Sequence, residues 1–343
     1  MRTCPGGCRP IRPVSGRGRP AAALLVSRPP CLPCRAPGQV AAIATALMAD
    51  SDRYMGYRSA LLLVVANMVG TGVFTTLGLQ AARIPDGFAL LGLWLFGGLI
   101  ALLGALSYAE LAAALPRSGG EYHFLTRIYH PALGQLAGWI SVTVGFAAPV
   151  ALAAMALGRY AATFLPVDAT WTAVVTVLAV TGLHAFDVRL GQGFQVLSTV
   201  LKLLVLASFC VAGLAAGSPE GTASLLPSES ALNSALTPAF ALALIYVSYA
   251  YSGWNAAAYV VNEVKDPRRT VPRALIHGTL VVMLFYLLLN WVFLRTVALD
   301  QLQGIVEVGA LSARTIFGPR GGILMAALLC LLLLSTVSGM ILA

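Results

Sequence analysis

Asn67-Met68-Val69-Gly70-Thr71-Gly72-Val73-Phe74 interrupts the first long apolar run of this chain, and Ser252-Gly253-Trp254 interrupts the sixth. Each interruption falls where the middle of a membrane-spanning helix is expected. In hydrocarbon every backbone N–H and C=O needs a partner, so irregular backbone at that depth persists only where protein encloses it or where it lines a cavity. The two interruptions therefore predict a binding site between two broken helices, an arrangement typical of secondary transporters.

The composition around these interruptions is that of an integral membrane protein. Of the 343 residues, 58% are hydrophobic and only 10% are charged, and the mean hydropathy is +0.83. A membrane-spanning helix needs about 20 mostly apolar residues. Eight apolar runs meet this requirement, at residues 60–82, 88–115, 132–156, 170–186, 191–216, 236–261, 274–297 and 321–343. The sequence thus predicts an all-α membrane protein with about eight transmembrane helices, the first and sixth discontinuous.

The amino-terminal segment differs from the rest of the chain. Residues 1–47 hold seven arginines and no acidic residue, which cannot form a core. We expect residues 1–50 to be a disordered Arg/Pro-rich tail and residues 54–343 to be the membrane domain. Two other interpretations are open: a mis-assigned gene start, with Met48 or Met55 as the initiator, and a transit peptide, since transit peptides are Arg-rich and poor in acidic residues.

The cysteines of this segment have spacings that resemble zinc sites. Cys4 and Cys8 form C-x3-C, and Cys31 and Cys34 form C-x2-C. Prolines and glycines surround them, so no helix or hairpin is expected to hold four ligands in a closed site. The prediction is no metal and no cofactor.

Lysines and arginines in the loops predict the orientation, because cytoplasmic loops carry an excess of positive charge. With the amino terminus inside, nine basic residues fall on the cytoplasmic side and five outside. The nine are Arg53, Arg58, Arg117, Arg127, Arg189, Lys265, Arg268, Arg269 and Arg273; the five are Arg83, Arg159, Arg295, Arg314 and Arg320. We therefore expect a plasma-membrane protein with a cytoplasmic amino terminus. The net charge of +9 owes seven units to the tail and does not indicate nucleic-acid binding.

Three stretches carry a family resemblance. They are Asn67 to Phe74; Tyr108-Ala109-Glu110-Leu111 followed by Leu115-Pro116-Arg117-Ser118-Gly119-Gly120-Glu121-Tyr122; and Ala250 to Asn255 followed by 262–274, which read NEVKDPRRTVPRA. The chain resembles an amino acid permease of the amino acid, polyamine and organocation superfamily, similar to the light chains of L-type transporters and to bacterial permeases. The resemblance implies the LeuT-type inverted repeat of five plus five spans. Since this chain ends in the eighth span, we expect either a fragment or the product of a truncated gene.

The chemistry of the breaks suits a free amino acid, which carries a carboxylate and an ammonium on one carbon. Unpaired N–H groups at the start of a half-helix favour the carboxylate, and carbonyls at the end of the opposing half accept from the ammonium. The predicted substrate-binding residues are Met68, Val69, Gly70, Thr71, Gly72, Val73, Tyr249, Ala250, Tyr251, Ser252, Gly253, Trp254 and Asn255. Alternatives are open at four of these positions. Gly70 and Gly72 are also typical of a helix-packing face, Trp254 is either a gate or an interfacial anchor, and Asn255 either binds substrate or ties neighbouring helices.

Lys202 lies within the fifth apolar run. A charge at that depth costs free energy and usually has a function. In several members of the superfamily that the chain resembles, a lysine at the matching fifth-span position takes the place of a sodium ion, and in some it is proposed to carry the coupled proton. A structural role is equally open, with the ammonium held by carbonyls near Gly70 and by hydroxyls such as Ser335 or Ser338.

Seven charged residues are predicted at the cytoplasmic ends of spans: Glu110, Arg117, Glu121, Lys265, Asp266, Arg268 and Arg269. We expect them to be structural, with ion pairs that close an inner gate as a second possibility. Exposed pairs contribute only about 0 to 1 kcal/mol each.

These observations predict a secondary active transporter that moves an amino acid by alternating access, either coupled to protons or as an exchanger. A neutral amino acid is favoured, since no acidic residue lies near either break. A disulfide-linked heavy chain is not expected, because residues 159–170, the loop where the family's light chains carry the linking cysteine, contain none. The alternatives are a non-transporting product, either an inactive truncation or a sensor, and a membrane enzyme. An enzyme is disfavoured because no His and carboxylate set clusters within the spans.

Overall fold

The computed structural model describes residues 54–186, 188–216, 226–227 and 229–342, and it describes the side chains of these residues except 186–196 and 342. The predictions for residues 1–50, including the four cysteines and the Met48 start, lie outside the described residues.

The described residues are helical and contain no β-strand; a single parallel bridge joins Met55 and Val264. The helices in chain order are α1 (Tyr57–Met68), α2 (Gly72–Thr75), α3 (Leu77–Ala81), α4 (Gly87–Ala114), α5 (Gly120–Ile128), α6 (Pro131–Ile140), α7 (Ala148–Ala162), α8 (Ala169–Phe186), α9 (Val188–Ala215), α10 (Glu229–Ala235), α11 (Pro238–Ala250), α12 (Ala256–Tyr259), α13 (Pro267–Thr296), α14 (Leu299–Leu302) and α15 (Val308–Leu342). A π-helical segment, Ser141–Ala147, joins α6 to α7. The predicted all-α class is confirmed.

The long apolar helices establish a multi-pass membrane protein. Within the part of the chain that the structure describes, six helical stretches are long and apolar enough to span a bilayer: Tyr57–Thr75, Gly87–Ala114, Pro131–Ala162, Leu197–Ala215, Pro267–Thr296 and Val308–Ile341. A seventh candidate is the pair α10 and α11, which is bent by 74°. The run expected at 170–186 forms a shorter apolar helix, Ala169–Ala185. Each of the eight predicted runs thus contains a helix, although only six meet the length requirement alone.

The surface of the helix bundle is apolar at many positions. Leu103, Val142, Leu178 and Leu204 are each more than 60% exposed. A soluble monomer rarely exposes large contiguous apolar areas. These side chains have the exposure expected of groups that face lipid acyl chains.

The two predicted breaks are present in the backbone. The first span leaves helical geometry at Val69, whose ψ is 87°, and resumes at Gly72. The sixth leaves it after Ala250 and resumes at Ala256, with Gly253 at a φ of +94°. That φ lies in the region that favours glycine, because other L-residues meet a steric penalty there.

Long helices place the groups that surround the breaks. Helix α13 packs against both α1 and α4, and α15 packs against α7 and α9. Helix α4 begins at an N-cap, Asp86, whose side chain accepts from the N–H of Ala89 at 2.8 Å. Such caps fix where a helix starts and therefore which of its side chains reach the centre of the bundle.

Candidate functional site

The two broken spans cross at their breaks. A Cβ atom on Gly72 would lie 2.5 Å from the Cα of Ala250, and one on Gly253 would lie 2.7 Å from the carbonyl oxygen of Asn67. Each break therefore needs a glycine where it meets the backbone of the other span. The packing-face interpretation of Gly72 and the binding interpretation both fit this contact, because the glycine packs on the other break itself.

A buried tyrosine on α13 joins the ends of the two interrupted helices. The hydroxyl of Tyr286, which is fully buried, lies 2.6 Å from the carbonyl oxygen of Met68 and 3.1 Å from that of Ala250. These are the last residues of α1 and α11. Two carbonyls left without intrahelical partners by the breaks thus accept hydrogen bonds from one hydroxyl.

Lys202 lies at the same break, fully buried on α9. Its Nζ donates to the carbonyl oxygens of Val69 at 2.8 Å and Ala66 at 3.3 Å, and to the hydroxyl oxygen of Thr336 at 2.9 Å. The Thr336 hydroxyl in turn donates to the Val69 carbonyl oxygen at 2.8 Å. The carbonyls near Gly70 are those predicted.

The hydroxyl partner of Lys202 differs from the predicted ones. Ser335 accepts from Ser198 at 3.1 Å, and Ser338 lies 2.9 Å from Nε2 of His184. Thr336, between them in sequence, is the residue that reaches the ammonium. Successive residues on a helix point about 100° apart, so neighbouring positions on α15 meet different partners.

A small cavity lies between the breaks. Its volume is about 10 Å³, roughly the space that one water molecule requires. Its lining includes seven of the predicted site residues, namely Met68, Gly70, Thr71, Gly72, Tyr249, Ala250 and Ser252. We call it the central cavity. None of the described residues that line it carries a charge.

The other predicted residues surround this cavity without being among its lining. Val73 is buried, and the Tyr251 hydroxyl donates to the carbonyl oxygen of Trp94 at 3.1 Å. Val69 points its carbonyl at Lys202. The remaining three, Gly253, Trp254 and Asn255, lie within the sixth-span break, between Ala250 and Ala256.

Glu121 joins the sixth-span break to α4 and α12 through hydrogen bonds. Its carboxylate accepts from the Tyr108 hydroxyl at 2.8 Å, from Asn255 Nδ2 at 2.6 Å and from the Tyr259 hydroxyl. We call these four residues the Glu121 cluster. Hydrogen bonds to an ionised acceptor are stronger than neutral ones. The sequence predicted a structural role for Glu121 at a span end, with an ion pair as a second possibility, and the partners observed are neutral donors.

Trp254 packs against the same cluster. Its ring stands edge-on to the ring of Tyr108, with centroids 4.9 Å apart, and a Cβ on Gly104 would lie 2.7 Å from the indole. The indole is half-buried.

Other hydrogen bonds connect chain segments on the face of the bundle beside the Glu121 cluster. Tyr54 donates its hydroxyl hydrogen to Glu263, and the N–H of Asn262 donates to the Ser118 hydroxyl at 2.9 Å. We call this the Tyr54 face. These bonds join the residues before the first span and after the second to the residues that follow the sixth-span break.

On the opposite side the central cavity adjoins a larger space at a pair of side chains. The hydroxyl oxygens of Thr71 and Tyr249 are 3.4 Å apart, and both residues line the central cavity and a neighbouring cavity of about 270 Å³. We call this opposite side the Glu307 face, because Glu307 also lines the larger cavity.

Sequence reasoning missed Tyr286, Thr336 and the hydrogen-bonding role of Glu121. Tyr286 lies in an apolar helix, where a tyrosine is usually an ordinary core residue. A signal was present for Glu121, since it follows Gly119 and Gly120 in the segment after the second span.

These features define an all-α, multi-pass membrane protein of the LeuT-type fold, with two opposed broken helices and a buried lysine beside the first break. A family model described as amino acid permease matches residues 55–343. The chain therefore belongs to the amino acid permease family.

Individual relatives agree with the family assignment. The chain is 28% identical over 293 residues to the serine/threonine exchanger SteT of Bacillus subtilis, covering 84% of this chain and 66% of that one. It is 30% identical over 261 residues to the Asc-type amino acid transporter 1 of Mus musculus, and 30% over 259 residues to the large neutral amino acids transporter small subunit 2 of Oryctolagus cuniculus. Each of these two alignments covers 72% of this chain and 48% of the relative. The chain thus spans about half to two thirds of the length of these relatives.

A solved structure supports the fold. It is that of Mhp1, a nucleobase-cation-symport-1 family transporter in a closed conformation with bromovinylhydantoin bound. The TM-score is 0.50 and the identity 17%, with 84% of this chain and 65% of that chain covered. This likeness concerns the fold alone.

Proposed function

We propose that the chain carries the substrate site of a secondary active transporter that moves a neutral amino acid across the plasma membrane by alternating access. The observation that carries the proposal is the crossing of the two breaks, with Gly72 against Ala250 and Gly253 against Asn67. The breaks bring together N–H groups at the start of α2 and carbonyl groups at the ends of α1 and α11, which complement a carboxylate and an ammonium.

The lining of the central cavity supports a neutral side chain. Its described members are apolar or uncharged polar residues, among them Thr71, Tyr249 and Ser252. A cationic side chain would need a carboxylate there, because a buried charge without a partner costs much free energy.

Alternating access is supported by the unequal closure of the two sides. The Glu121 cluster blocks the Tyr54 face with at least three hydrogen bonds to one carboxylate. On the Glu307 face the Thr71 and Tyr249 side chains separate the central cavity from open space. We assign the Glu307 face to the outside and the Tyr54 face to the cytoplasm, as the loop charges predict.

Lys202 is proposed to carry the coupled proton. Its ammonium holds the Val69 carbonyl at the break, so its charge state and the geometry of the break are linked. Proton loss would release that carbonyl and bias the first span toward another position. A chain that exchanges substrates without a proton gradient is the alternative coupling mode.

The central test is uptake of radiolabelled L-serine, L-alanine and L-leucine by proteoliposomes that contain the full chain. Gly72→Ala is expected to abolish uptake, because its Cβ would meet the Ala250 backbone at 2.5 Å and separate the two spans. Gly182→Ala is the matched control, since nothing lies within 4 Å of a Cβ at that position. Equilibrium binding of L-serine to the purified chain gives a second measurement. A folded chain that neither binds nor takes up any of the three contradicts the proposal.

A further inference from the structure

The Glu307 face contains two adjoining cavities that the proposed transport site does not use. One has a volume of about 270 Å³ and the other about 510 Å³, and both are lined by Tyr160 and Glu307. We call them together the Glu307 vestibule. The smaller cavity reaches Thr71 and Tyr249, which border the central cavity. The vestibule is therefore the space next to the proposed site on this side.

The vestibule can hold a small molecule, whereas the central cavity cannot in this conformation. The larger vestibule cavity falls within the range of about 300–1,000 Å³ that is usual for small-molecule sites. The central cavity, at about 10 Å³, has room for roughly one water molecule. An amino acid that approaches from the Glu307 face has space in the vestibule before the breaks separate.

A buried hydroxyl group in the vestibule has no hydrogen-bond partner. Tyr160, on α7, is only 2% exposed, and its hydroxyl oxygen makes no hydrogen bond to the described part of the chain. Buried polar atoms are nearly always paired, so an unpaired one calls for a partner outside the described part of the chain. Because Tyr160 lines both cavities, a molecule in the vestibule can supply that partner.

Charges of both signs line the smaller cavity. Arg159 lies in the last turn of α7, next to Tyr160, and Glu307 lies just before α15. An arginine binds a carboxylate through two parallel hydrogen bonds, and a glutamate accepts from an ammonium. The main-chain end of a free amino acid carries both of these groups, and its carboxylate also accepts from a tyrosine hydroxyl.

We propose that the Glu307 vestibule is a second binding site for a free amino acid, in which Arg159 and Tyr160 bind the carboxylate and Glu307 binds the ammonium. This inference rests on the proposed function, since it assigns to the same substrate a binding site that is occupied before the central one. The side chain of the bound amino acid extends into the larger cavity, whose lining includes Ile305, Leu311 and Ile323.

Binding of tritiated L-serine to the purified full chain tests the proposal. Gly72→Ala disrupts the central site, so the binding that this variant retains is assigned to the vestibule. In the Gly72→Ala background, Tyr160→Phe and Glu307→Gln are each expected to weaken the retained binding about tenfold or more, as expected for loss of a hydrogen bond to a charged group. Asp300→Asn and Arg320→Gln are matched controls, because both residues are exposed on the same side and outside the cavity linings.

A second measurement does not depend on Gly72→Ala. In the otherwise unchanged chain, Tyr160→Phe and Glu307→Gln are expected to slow the association of L-serine, while Asp300→Asn leaves it unchanged. Tyr160→Phe is also expected to keep or raise the melting temperature of the ligand-free chain, because it removes an unpaired buried hydroxyl. Lost binding therefore cannot be attributed to unfolding.

The outcomes separate the two proposals. Suppose that the unaltered chain binds or takes up amino acid, that folded Gly72→Ala retains no binding, and that L-serine associates with Tyr160→Phe at the unaltered rate. This set of results overturns the vestibule site alone. Retained binding in Gly72→Ala that Tyr160→Phe and Glu307→Gln do not weaken also overturns it. Absence of both binding and uptake in the unaltered chain contradicts the proposed function and the vestibule site together.

Discussion

The hydroxyl oxygen of Tyr286 lies 2.6 Å from the carbonyl oxygen of Met68, the last residue of α1. The same hydroxyl is 3.1 Å from the carbonyl oxygen of Ala250, the last residue of α11. One side chain on α13 therefore holds the ends of both interrupted helices at a fixed separation.

Replacing Tyr286 by phenylalanine tests this role. The change leaves two buried carbonyls without their donor, and we expect the free energy of unfolding to fall by about 1–3 kcal/mol. Thermal unfolding of the purified chain measures the change. Tyr129→Phe is the control, because Tyr129 is 71% exposed. Equal melting temperatures for the two variants would show that the Tyr286 bonds contribute nothing to stability.

Glu121→Gln tests whether the Glu121 cluster closes the Tyr54 face. The glutamine amide replaces one acceptor oxygen with an NH2 donor, which then faces the donors of the cluster. We therefore expect the hydrogen bonds of the cluster to break more often. We expect a membrane-impermeant thiol reagent to modify Ser252→Cys about tenfold faster from the Tyr54 face. The variant is made in a chain whose six native cysteines are replaced by alanine.

Glu110→Gln is the matched control for this experiment, since Glu110 is exposed on α4 close to Tyr108. Vesicles of both orientations identify the side from which the reagent arrives. An equal rise from both sides, or no rise in Glu121→Gln, would mean that the cluster does not close this path.

Lys202→Met separates the coupling role from the structural role. Methionine has a similar length and no charge, and the Val69 carbonyl keeps the Thr336 hydroxyl as a donor at 2.8 Å. We expect the variant to fold and to exchange amino acids, but to lose the response of uptake to an inward proton gradient. Thr336→Val serves as the control that removes the hydroxyl and keeps the ammonium. Gradient-driven uptake that persists in folded Lys202→Met would assign Lys202 a structural role only.

His123 gives the protein a pH dependence of stability. It lies on α5, outside the candidate spans, and its pKa is lowered by burial and, to a smaller extent, by the positive charges of Arg117 and Arg127. The unfolded chain then binds more protons than the folded chain at pH values below about 6.5, so stability decreases as the pH falls through that range.

We therefore expect the melting temperature to decrease between about pH 8 and about pH 5, and to decrease less in His123→Gln. Arg117→Gln should weaken the dependence only in part, because burial is the larger cause of the lowered pKa. A His123→Gln chain with the same pH profile as the unaltered chain would refute the assignment.

The breaks were predictable in part from local sequence. Glycine permits the backbone angles that a break needs, and Gly70, Gly72 and Gly253 are visible in the sequence. Glycine alone does not decide the matter, because Gly97 and Gly98 lie within the unbroken helix α4. Lys202 was predictable for the same kind of reason, since a lysine amid apolar residues needs nearby acceptors, and the break supplies the Val69 carbonyl.

The partners across helices were not predictable. To predict that Thr336 and not Ser335 contacts Lys202, one must know how α15 is rotated about its own axis. The sequence does not define that rotation, because apolar residues occur on all sides of the helix. Tyr160 and Tyr286 are both tyrosines in apolar helices, yet one hydroxyl has no partner in the described chain and the other has two. Only the packing of helices against each other distinguishes them.

The short bridge at Met55 has a mechanical consequence. The N–H of Met55 donates to the carbonyl oxygen of Glu263, and the N–H of Lys265 donates to the carbonyl oxygen of Met55, both at 2.9 Å. Residues just before the first span are thereby fastened to residues just after the sixth. Any displacement of one broken span relative to the other at this end must therefore break both hydrogen bonds, whereas a movement of the two spans together keeps them.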